Sequence, residues 1–316
     1  MEPTFGALLG LAGIAMAATN DATQVNSNYQ NGKHVDIAIN YAGSDFYYAI
    51  CSVMGATTIG ILIASAMKPR SDRIFFYICA AICMVATIAY FAMGSNLGWT
   101  PIDVEWRRSW EPAVVGRNRE IFYVRYIDWF ITTPLLLLDL MLTAGLPWPT
   151  IIWTILLDWV MIVTGLVGAL VKSRYKWGFY AFGCAAMFFV FYELAIVGRR
   201  RAQVLGSDVH RVFIICGVWT LFIWMFYPIS WGLCEGGNVI SPDAEAVFYG
   251  CLDFCAKPIF SIALIVGHWN ISPSRLGLHI ADYDVEPMRE EKHDSRNNRG
   301  LTDGGYHGAG DVDTAE

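Results

Sequence analysis

The sequence predicts an all-α membrane protein, a seven-transmembrane-helix bundle. Three observations support this fold class. Of the 316 residues, 55% are hydrophobic and only 16% are charged. Apolar runs long enough to cross the ~30 Å hydrocarbon core of a bilayer recur seven times along the chain. Polar segments separate and flank these runs, and most of the net charge of −6 lies in the flanking segments.

Residues 1–44 are predicted to form an extracellular N-terminal segment. Its apolar piece, from Phe5 to Ala18, is about 14 residues long and too short to span a bilayer. No basic region precedes this piece, so it is a poor signal peptide. The alternatives are an interfacial helix and a disordered segment, and the predicted function depends on neither.

Residues 45–270 contain the seven predicted spans. Helix breakers and charges separate them, as Gly145-Leu-Pro147 does after the third span. Residues 271–316 are rich in Gly, Asp, Glu and Asn and are predicted to form a disordered, cytoplasmic polar tail. In chain order, the spans cover residues 45–67, 74–94, 121–143, 149–171, 177–198, 211–234 and 244–269.

The orientation of the bundle does not follow from charge alone. The loops after the first and fifth spans are basic, which favours the cytoplasmic side for both. The connection over 95–119 and the loop before the fifth span also carry basic residues, so the charge count is nearly balanced. The chemistry of the interior argues for an N-terminus outside and a C-terminus in the cytoplasm. The plasma membrane is the expected location.

Composition also argues against some classes of partner. There is no basic surface domain, so no nucleic-acid partner is expected. The eight cysteines lie in or at the ends of apolar runs, and none shows the spacing of metal ligands. We interpret them as small apolar packing residues, which predicts neither a disulfide framework nor a metal site.

Two ionisable residues, Asp253 and Lys257, lie inside the seventh predicted span. They are four residues apart, so they share one face of a helix. A lysine in the hydrocarbon core costs at least ~2.5–3.5 kcal/mol on insertion scales, so such a residue usually has a function. A neutral buried amine is a nucleophile toward an aldehyde, and the cationic imine that results needs a carboxylate counterion.

The third span contains a column of titratable groups. Asp128 and Asp139 are eleven residues apart, which places them within about 20° on one helix face and about 16 Å apart along the axis. Arg125 lies about one turn from Asp128, on the side away from Asp139. Columns of this kind form proton relays. A single buried acid is often a packing residue, the simpler interpretation of Asp158 and Glu193, but packing does not easily explain the whole set.

Aromatic residues accompany these charges. Trp224 and Tyr227 are three residues apart on one side of a helix that Pro228 is expected to kink. Aromatic stripes usually serve packing or membrane-interface belts, so this stripe alone does not establish a ligand site. The rings expected near Lys257 are Tyr90, Tyr126, Trp129, Trp224, Tyr227 and Trp231.

Three segments of the sequence resemble a known family. Residues 125–140, Arg-Tyr-Ile-Asp-Trp-Phe-Ile-Thr-Thr-Pro-Leu-Leu-Leu-Leu-Asp-Leu, resemble the third helix of microbial (type I) rhodopsins. Residues 252–257, Leu-Asp-Phe-Cys-Ala-Lys, resemble their seventh helix, and the pattern from Trp224 to Trp231 resembles their sixth. The resemblance covers about 45–270 and is to the fungal, bacteriorhodopsin-like proton-pump branch.

The resemblance implies a cofactor, all-trans-retinal, bound as a Schiff base to Lys257. It also implies a set of residues that hold or pass protons. These are Asp128 as primary acceptor and counterion, Asp253 as second counterion, Asp139 as cytoplasmic donor, Arg125 as the gate on the outward path, and Glu235 with Glu245 as the release pair. Ordinary loop carboxylates remain the alternative for the last two.

The resemblance further implies the lining of the retinal pocket. Tyr90 and Tyr227 would complete the counterion cluster around Asp253. Gly183 and Cys79 stand where the family often has polar residues, with expected effects on colour and on the rate of reprotonation, respectively. The implied pocket residues, with Tyr126 from the aromatic set, are Trp129, Thr133, Leu136, Met161, Gly165, Trp224, Tyr227 and Pro228.

The predicted function is light-driven outward proton pumping, with retinal, protons and the lipid bilayer as partners and no enzymatic activity. A slow-cycling photosensory rhodopsin that signals through a partner is the alternative, and the long tail is the one feature that favours it. A retinal-free chaperone or transporter is a third hypothesis, which Lys257 argues against. Asp128 with Asp139 disfavours a chloride or sodium pump. Whether the chain forms a homo-oligomer stays open.

Overall fold

The computed structural model describes residues 20–30 and 32–280. Seven of its helices are long and apolar enough to cross a membrane, which confirms the predicted seven-helix bundle. The apolar piece from Phe5 to Ala18 lies outside the described residues. The helices are α1 (Tyr41–Ser65), α2 (Ile74–Gly94), α3 (Tyr123–Thr143), α4 (Trp148–Leu170), α5 (Lys176–Leu205), α6 (Ser207–Gly236) and α7 (Pro242–His268).

The two ends of the bundle differ. At the hairpin end, where α1 begins and α2 ends, the chain forms two small antiparallel sheets. Strands β1 (Tyr29–Gln30) and β2 (Lys33–His34) form one, and β3 (Thr100–Asp103) and β4 (Asn118–Ile121) form the other. At the opposite end, called the tail end, short turns join the helices and α7 ends at His268.

The hairpin of β3 and β4 was not predicted, because the 95–119 connection reads as a polar loop. Its register pairs Thr100 with Ile121 and Asp103 with Asn118. The segment before α1 extends this sheet, since Ile37 accepts from the backbone N–H of Glu120 at 2.9 Å. The hairpin therefore forms a fixed cover over one end of the bundle.

Local capping explains where two of the helices start. The side chain of Asn40 accepts a hydrogen bond from the Ala42 N–H at 2.7 Å and so caps α1. At α7, Ser241 caps the Ala244 N–H at 3.2 Å and Pro242 occupies the first turn, where its missing N–H is not needed.

Helix α5 corrects a predicted boundary. The sequence suggested an end at residue 198, with Arg199–Arg201 opening a loop, but the helix continues to Leu205. Arginine is a good helix former, and helices extend past the hydrocarbon core where long charged side chains reach water. Gly206, with φ of +126°, ends this helix. Likewise, α6 spans residues 207–236, not 211–234.

The first residues of the predicted polar tail pack against the bundle. Ile271 and Leu276 are buried in its hydrophobic core, and a short helical turn forms over Pro273–Leu276. The compact unit that contains the bundle ends at Leu278.

The bundle has polar residues inside and apolar residues outside. Ile63, Phe188 and Val266 point outward with 57–68% of their surface exposed, as lipid-facing side chains do. In contrast, Arg125, Asp128, Asp139 and Lys257 are at most 3% exposed. With its seven apolar helices, the chain is an integral, multi-pass membrane protein.

Candidate functional site

Lys257 lies at the centre of the bundle between two carboxylates. Its Nζ is 2.8 Å from Oδ2 of Asp128 on α3 and 2.9 Å from Oδ2 of Asp253, one turn earlier on α7. All three side chains are at most 4% exposed. Asp253 of α7 and Asp128 of the α3 column therefore contact the same amine, as the sequence indicated.

The two carboxylates have different surroundings. Asp253 accepts from the hydroxyls of Tyr90 at 2.7 Å and Tyr227 at 2.6 Å and from the indole N–H of Trp129 at 3.3 Å. Among the described residues, Oδ1 of Asp128 has no hydrogen-bond partner. Three donors thus occupy the oxygens of Asp253, whereas Asp128 has an oxygen without a donor.

The backbone at Lys257 departs from regular α-helix. Residues Cys255–Ile259 form a π-helical turn, a feature frequent at functional sites. Pro258, within this turn, has no N–H to donate. In the same turn, the carbonyl of Cys255 accepts from the indole N–H of Trp219 on α6, at 2.9 Å. Another helix thereby supports the turn that positions the lysine.

A cavity lies beside Lys257 and is lined by residues of helices α3–α7. Its walls are mainly aromatic and aliphatic, which suits a long apolar ligand. All the pocket residues that the resemblance implied line it, except Tyr90, which contacts Asp253 instead. Those that line it are Tyr126, Trp129, Thr133, Leu136, Met161, Gly165, Trp224, Tyr227 and Pro228.

The cavity has further walls that sequence reasoning missed. Tyr180 and Met187 on α5 contribute, as does Tyr249 on α7. Tyr249 had a detectable signal, because it continues the four-residue spacing of Asp253 and Lys257 and so shares their helix face. Tyr180 and Met187 had none, since α5 contains aromatic and aliphatic residues on all sides.

Toward the hairpin end, Arg125 joins the two glutamates expected to act as a pair. Its Nη1 is 2.5 Å from Glu245 and 3.5 Å from Glu235. The hydroxyls of Tyr126 and Tyr249 donate to Glu235 at 3.0 and 3.1 Å. The structure therefore brings Arg125, Glu235 and Glu245 together in one buried network and removes the loop-carboxylate alternative.

The hairpin supplies Arg119 to this network and places the buried carboxyl of Glu120 next to it in sequence, and the sequence suggested neither. Arg119 on β4 donates to Glu245 at 2.6 Å and to Asn238 at 2.8 Å. Beside it, Glu120 accepts from the Ile39 N–H at 2.9 Å, and burial raises its pKa to about 8. Their partners lie far away in sequence, so spacing along the chain contains no sign of them.

Toward the tail end, Asp139 is isolated. It is fully buried, and the thiol of Cys79 donates to its Oδ2 at 3.3 Å. Its Oδ1 has no partner among the described residues. On α4, Asp158 accepts from Thr133 at 2.7 Å, a contact that ties α3 to α4.

Comparisons with known proteins decide the family. A profile of the family described as "Bacteriorhodopsin-like protein" matches residues 43–271. The chain belongs to this family. It is 60% identical over 268 residues to the opsin-like protein carO of Fusarium fujikuroi, covering 85% of this chain and 87% of that protein.

Solved structures of rhodopsins agree with this assignment. A light-driven proton pump from Leptosphaeria maculans superposes with a TM-score of 0.70 at 34% identity, covering 75% of this chain and 99% of the other. A light-driven proton pump from Coccomyxa subellipsoidea gives 0.69 at 36% identity, covering 73% and 99%. The chain is thus a fungal type I rhodopsin, and proteins of this family bind retinal.

Proposed function

We propose that this rhodopsin is a light-driven outward proton pump that binds all-trans-retinal through Lys257. One observation supports this most directly: the Lys257 amine closes an apolar cavity and contacts Asp128 at 2.8 Å. An amine, a proton acceptor beside it and a second acid on the other side are the parts that a proton pump requires. The two solved proton pumps share this fold.

The cavity fits the cofactor. Its apolar, largely aromatic walls and the Lys257 amine that lines it suit a conjugated polyene aldehyde. Trp129 and Trp224 from α3 and α6 would hold the chain, and Asp128 with Asp253 would balance the positive charge. Bound retinal supplies a light-absorbing cation whose geometry changes when it absorbs a photon.

In this proposal Asp128 accepts the proton from the Lys257 nitrogen. The acceptor must be in contact with that nitrogen and must have room for the proton. Asp128 meets both conditions, since Oδ2 contacts Nζ and Oδ1 is unpartnered. Asp253 meets only the first, because three donors occupy its oxygens.

The proton then leaves through the network at the hairpin end. Arg125 lies one turn from Asp128 and holds Glu245 and Glu235. If Arg125 moves when Asp128 becomes neutral, the charge around these glutamates changes and one of them releases a proton. Asp139, on the other side of Lys257, returns a proton to its nitrogen.

This direction requires that the hairpin end is outside and the tail end is cytoplasmic. The orientation places the N-terminus outside and the C-terminus inside, in the plasma membrane. It also places the acids in the order of transfer, with Asp139 before the amine and Asp128 after it.

Light-driven pH change in intact cells tests the proposal. We expect illumination of yeast cells that express the protein with retinal to acidify the medium, and a protonophore to abolish the signal. A visible photocycle without any pH change would contradict pumping and favour a photosensor. Alkalinisation of the medium would contradict the direction.

A further inference from the structure

His268 is a buried titratable residue that the proposed mechanism does not yet use. It is the last residue of α7 and is 5% exposed. Its ring stacks on Phe75 of α2, with centroids 4.2 Å apart. Nδ1 lies 2.9 Å from the carbonyl of Leu264, and Nε2 lies 3.1 Å from the hydroxyl of Thr143 on α3. Three helices thus fix one imidazole.

The hydrogen bonds around this ring favour Nε2 as the nitrogen that binds and releases a proton. The carbonyl of Leu264 can only accept, so Nδ1 carries a hydrogen. In the neutral ring Nε2 is then an acceptor, and the single hydroxyl proton of Thr143 can be donated either to Nε2 or to the backbone carbonyl of Asp139, 2.7 Å away. In the imidazolium, Nε2–H donates to the Thr143 hydroxyl, which in turn donates to the Asp139 backbone carbonyl. Every contact is then satisfied.

The ring lies one helical turn from Asp139 along two helices. On α3, Thr143 follows Asp139 by four residues. On α2, Phe75 precedes Cys79 by four residues, and the Cys79 thiol donates to Asp139. One turn rises about 5.4 Å. His268 therefore lies on the tail side of Asp139, about one helical turn away along both helices.

Other charged and titratable groups at this end lie on the segments that pack around α7. The α1–α2 connection contributes Lys68, whose Nζ donates to the Trp269 carbonyl at 2.5 Å. Further groups of this kind lie before α2, on α2 and α3, and on α6. These groups are Arg70, Asp72 and Arg73 before α2, Cys79 and Asp139 in the interior, and Asp208, His210 and Arg211 on α6.

We propose that His268 carries the proton that restores Asp139 after Asp139 has given its own to the Lys257 nitrogen. This inference rests on the proposed function. The proton leaves Nε2 of the imidazolium and binds a carboxylate oxygen of Asp139, which becomes the neutral acid. The neutral imidazole then takes a proton at Nε2 from the medium at the tail end. No electron or other group moves.

Time-resolved spectroscopy of the full-length, retinal-loaded protein separates the two proton transfers. The visible band reports when the Lys257 nitrogen regains its proton from Asp139, which is the first step. The infrared C=O band of the protonated Asp139 carboxyl reports its recovery, which is the second step. Asp139→Asn changes the first step. His268→Gln should change only the second.

We expect His268→Gln to slow the second step about 10-fold or more, in line with the loss of a proton-transfer group. Imidazole added to the buffer should restore the rate, because it replaces the missing proton carrier. His210→Gln is the matched control, since its ring lies at the same end with an unpartnered Nε2. It should leave both steps unchanged.

A second step at the wild-type rate in His268→Gln would overturn the proposal, and so would a slow step that imidazole does not rescue. If that variant does not form a visible band, Thr143→Val takes its place. We expect this variant to slow the second step about 3-fold, and a wild-type rate would contradict the proposal. Should Asp139→Asn leave the first step unchanged, the donor assignment of the proposed function fails instead.

Discussion

The two halves of the bundle on either side of Lys257 are built differently. The half toward the hairpin end contains a connected network in which Arg125, Arg119, Glu235 and Glu245 contact one another. In the half toward the tail end, the carboxylate of Asp139 accepts a hydrogen bond from the Cys79 thiol and lies apart from such a network. Under the proposed mechanism, the first half redistributes charge with small movements, whereas the second holds a proton in an apolar setting until a path opens.

This difference would give the proposed proton transport its direction. A proton placed on Asp128 lies beside a network that can pass it on. A proton on Asp139 is separated from the Lys257 nitrogen by apolar packing around α2, α3 and α6. Barriers of unequal height on the two sides of the amine favour release on one side and uptake on the other.

Removing the amine on which both halves depend should have the largest effect. We expect Lys257→Ala to form no visible absorption band with all-trans-retinal, because no other amine lines the cavity in the described part of the chain. Absorption spectra of the purified protein measure this. Lys176→Ala is the control, since its buried amine donates to the Glu235 carbonyl outside the cavity. A stable retinal band in Lys257→Ala would contradict the attachment site.

The isolated half is tested by Asp139→Asn. The amide keeps the shape of the side chain but cannot give up a proton, so recovery of the ground state should slow by about 100-fold or more. The remaining recovery should become slower as pH rises, because protons must then come from the medium. Flash photolysis between pH 5 and 9 measures both effects. An unchanged cycle time would show that the donor assignment is wrong.

The networked half is tested by Arg119→Gln. Removing one partner of a buried ion pair leaves Glu245 less compensated and should cost about 3–5 kcal/mol. Thermal bleaching of the visible band reports the loss. Arg108→Gln is the matched control, because Arg108 reaches only backbone carbonyls of Gly237 and Asn238 near the same loop. If the two variants are equally stable, Arg119 does not stabilise the protein through its ion pair with Glu245.

The smallest expected effect concerns Glu120 and pH. Burial raises the pKa of this carboxyl from its ordinary value of 4.5 to about 8. Between these values the folded protein binds more protons than the unfolded chain, so stability is greatest below about pH 4.5 and falls as pH rises through 8. Glu120→Gln keeps an acceptor for the Ile39 N–H and should flatten this dependence. An unchanged slope of melting temperature against pH would show that Glu120 is ionised when folded.

Sequence reasoning succeeded where the signal was local. Helix periodicity placed Asp253 beside Lys257, and hydropathy located all seven spans. The structure places Asp128 against Lys257, and the implied pocket residues other than Tyr90 line the cavity, while their roles toward retinal remain predictions.

It failed where contacts join distant segments. Arg119 and Glu245 are separated by more than a hundred residues and meet only because a hairpin folds over the bundle. The place of His268 beside Thr143 depends in the same way on how α7 packs against α3. The extension of α5 past Gly198 was missed because hydropathy marks the hydrocarbon core and not the end of the helix.

Flash photolysis of the reconstituted protein with a pH-sensitive dye outside the vesicles tests the central claim most directly. With the hairpin end facing the dye, we predict that one proton is released to the dye side as the Lys257 nitrogen loses its own, and that uptake from the lumen follows during recovery. A complete photocycle in which the dye reports no proton, or reports uptake first, would contradict outward pumping.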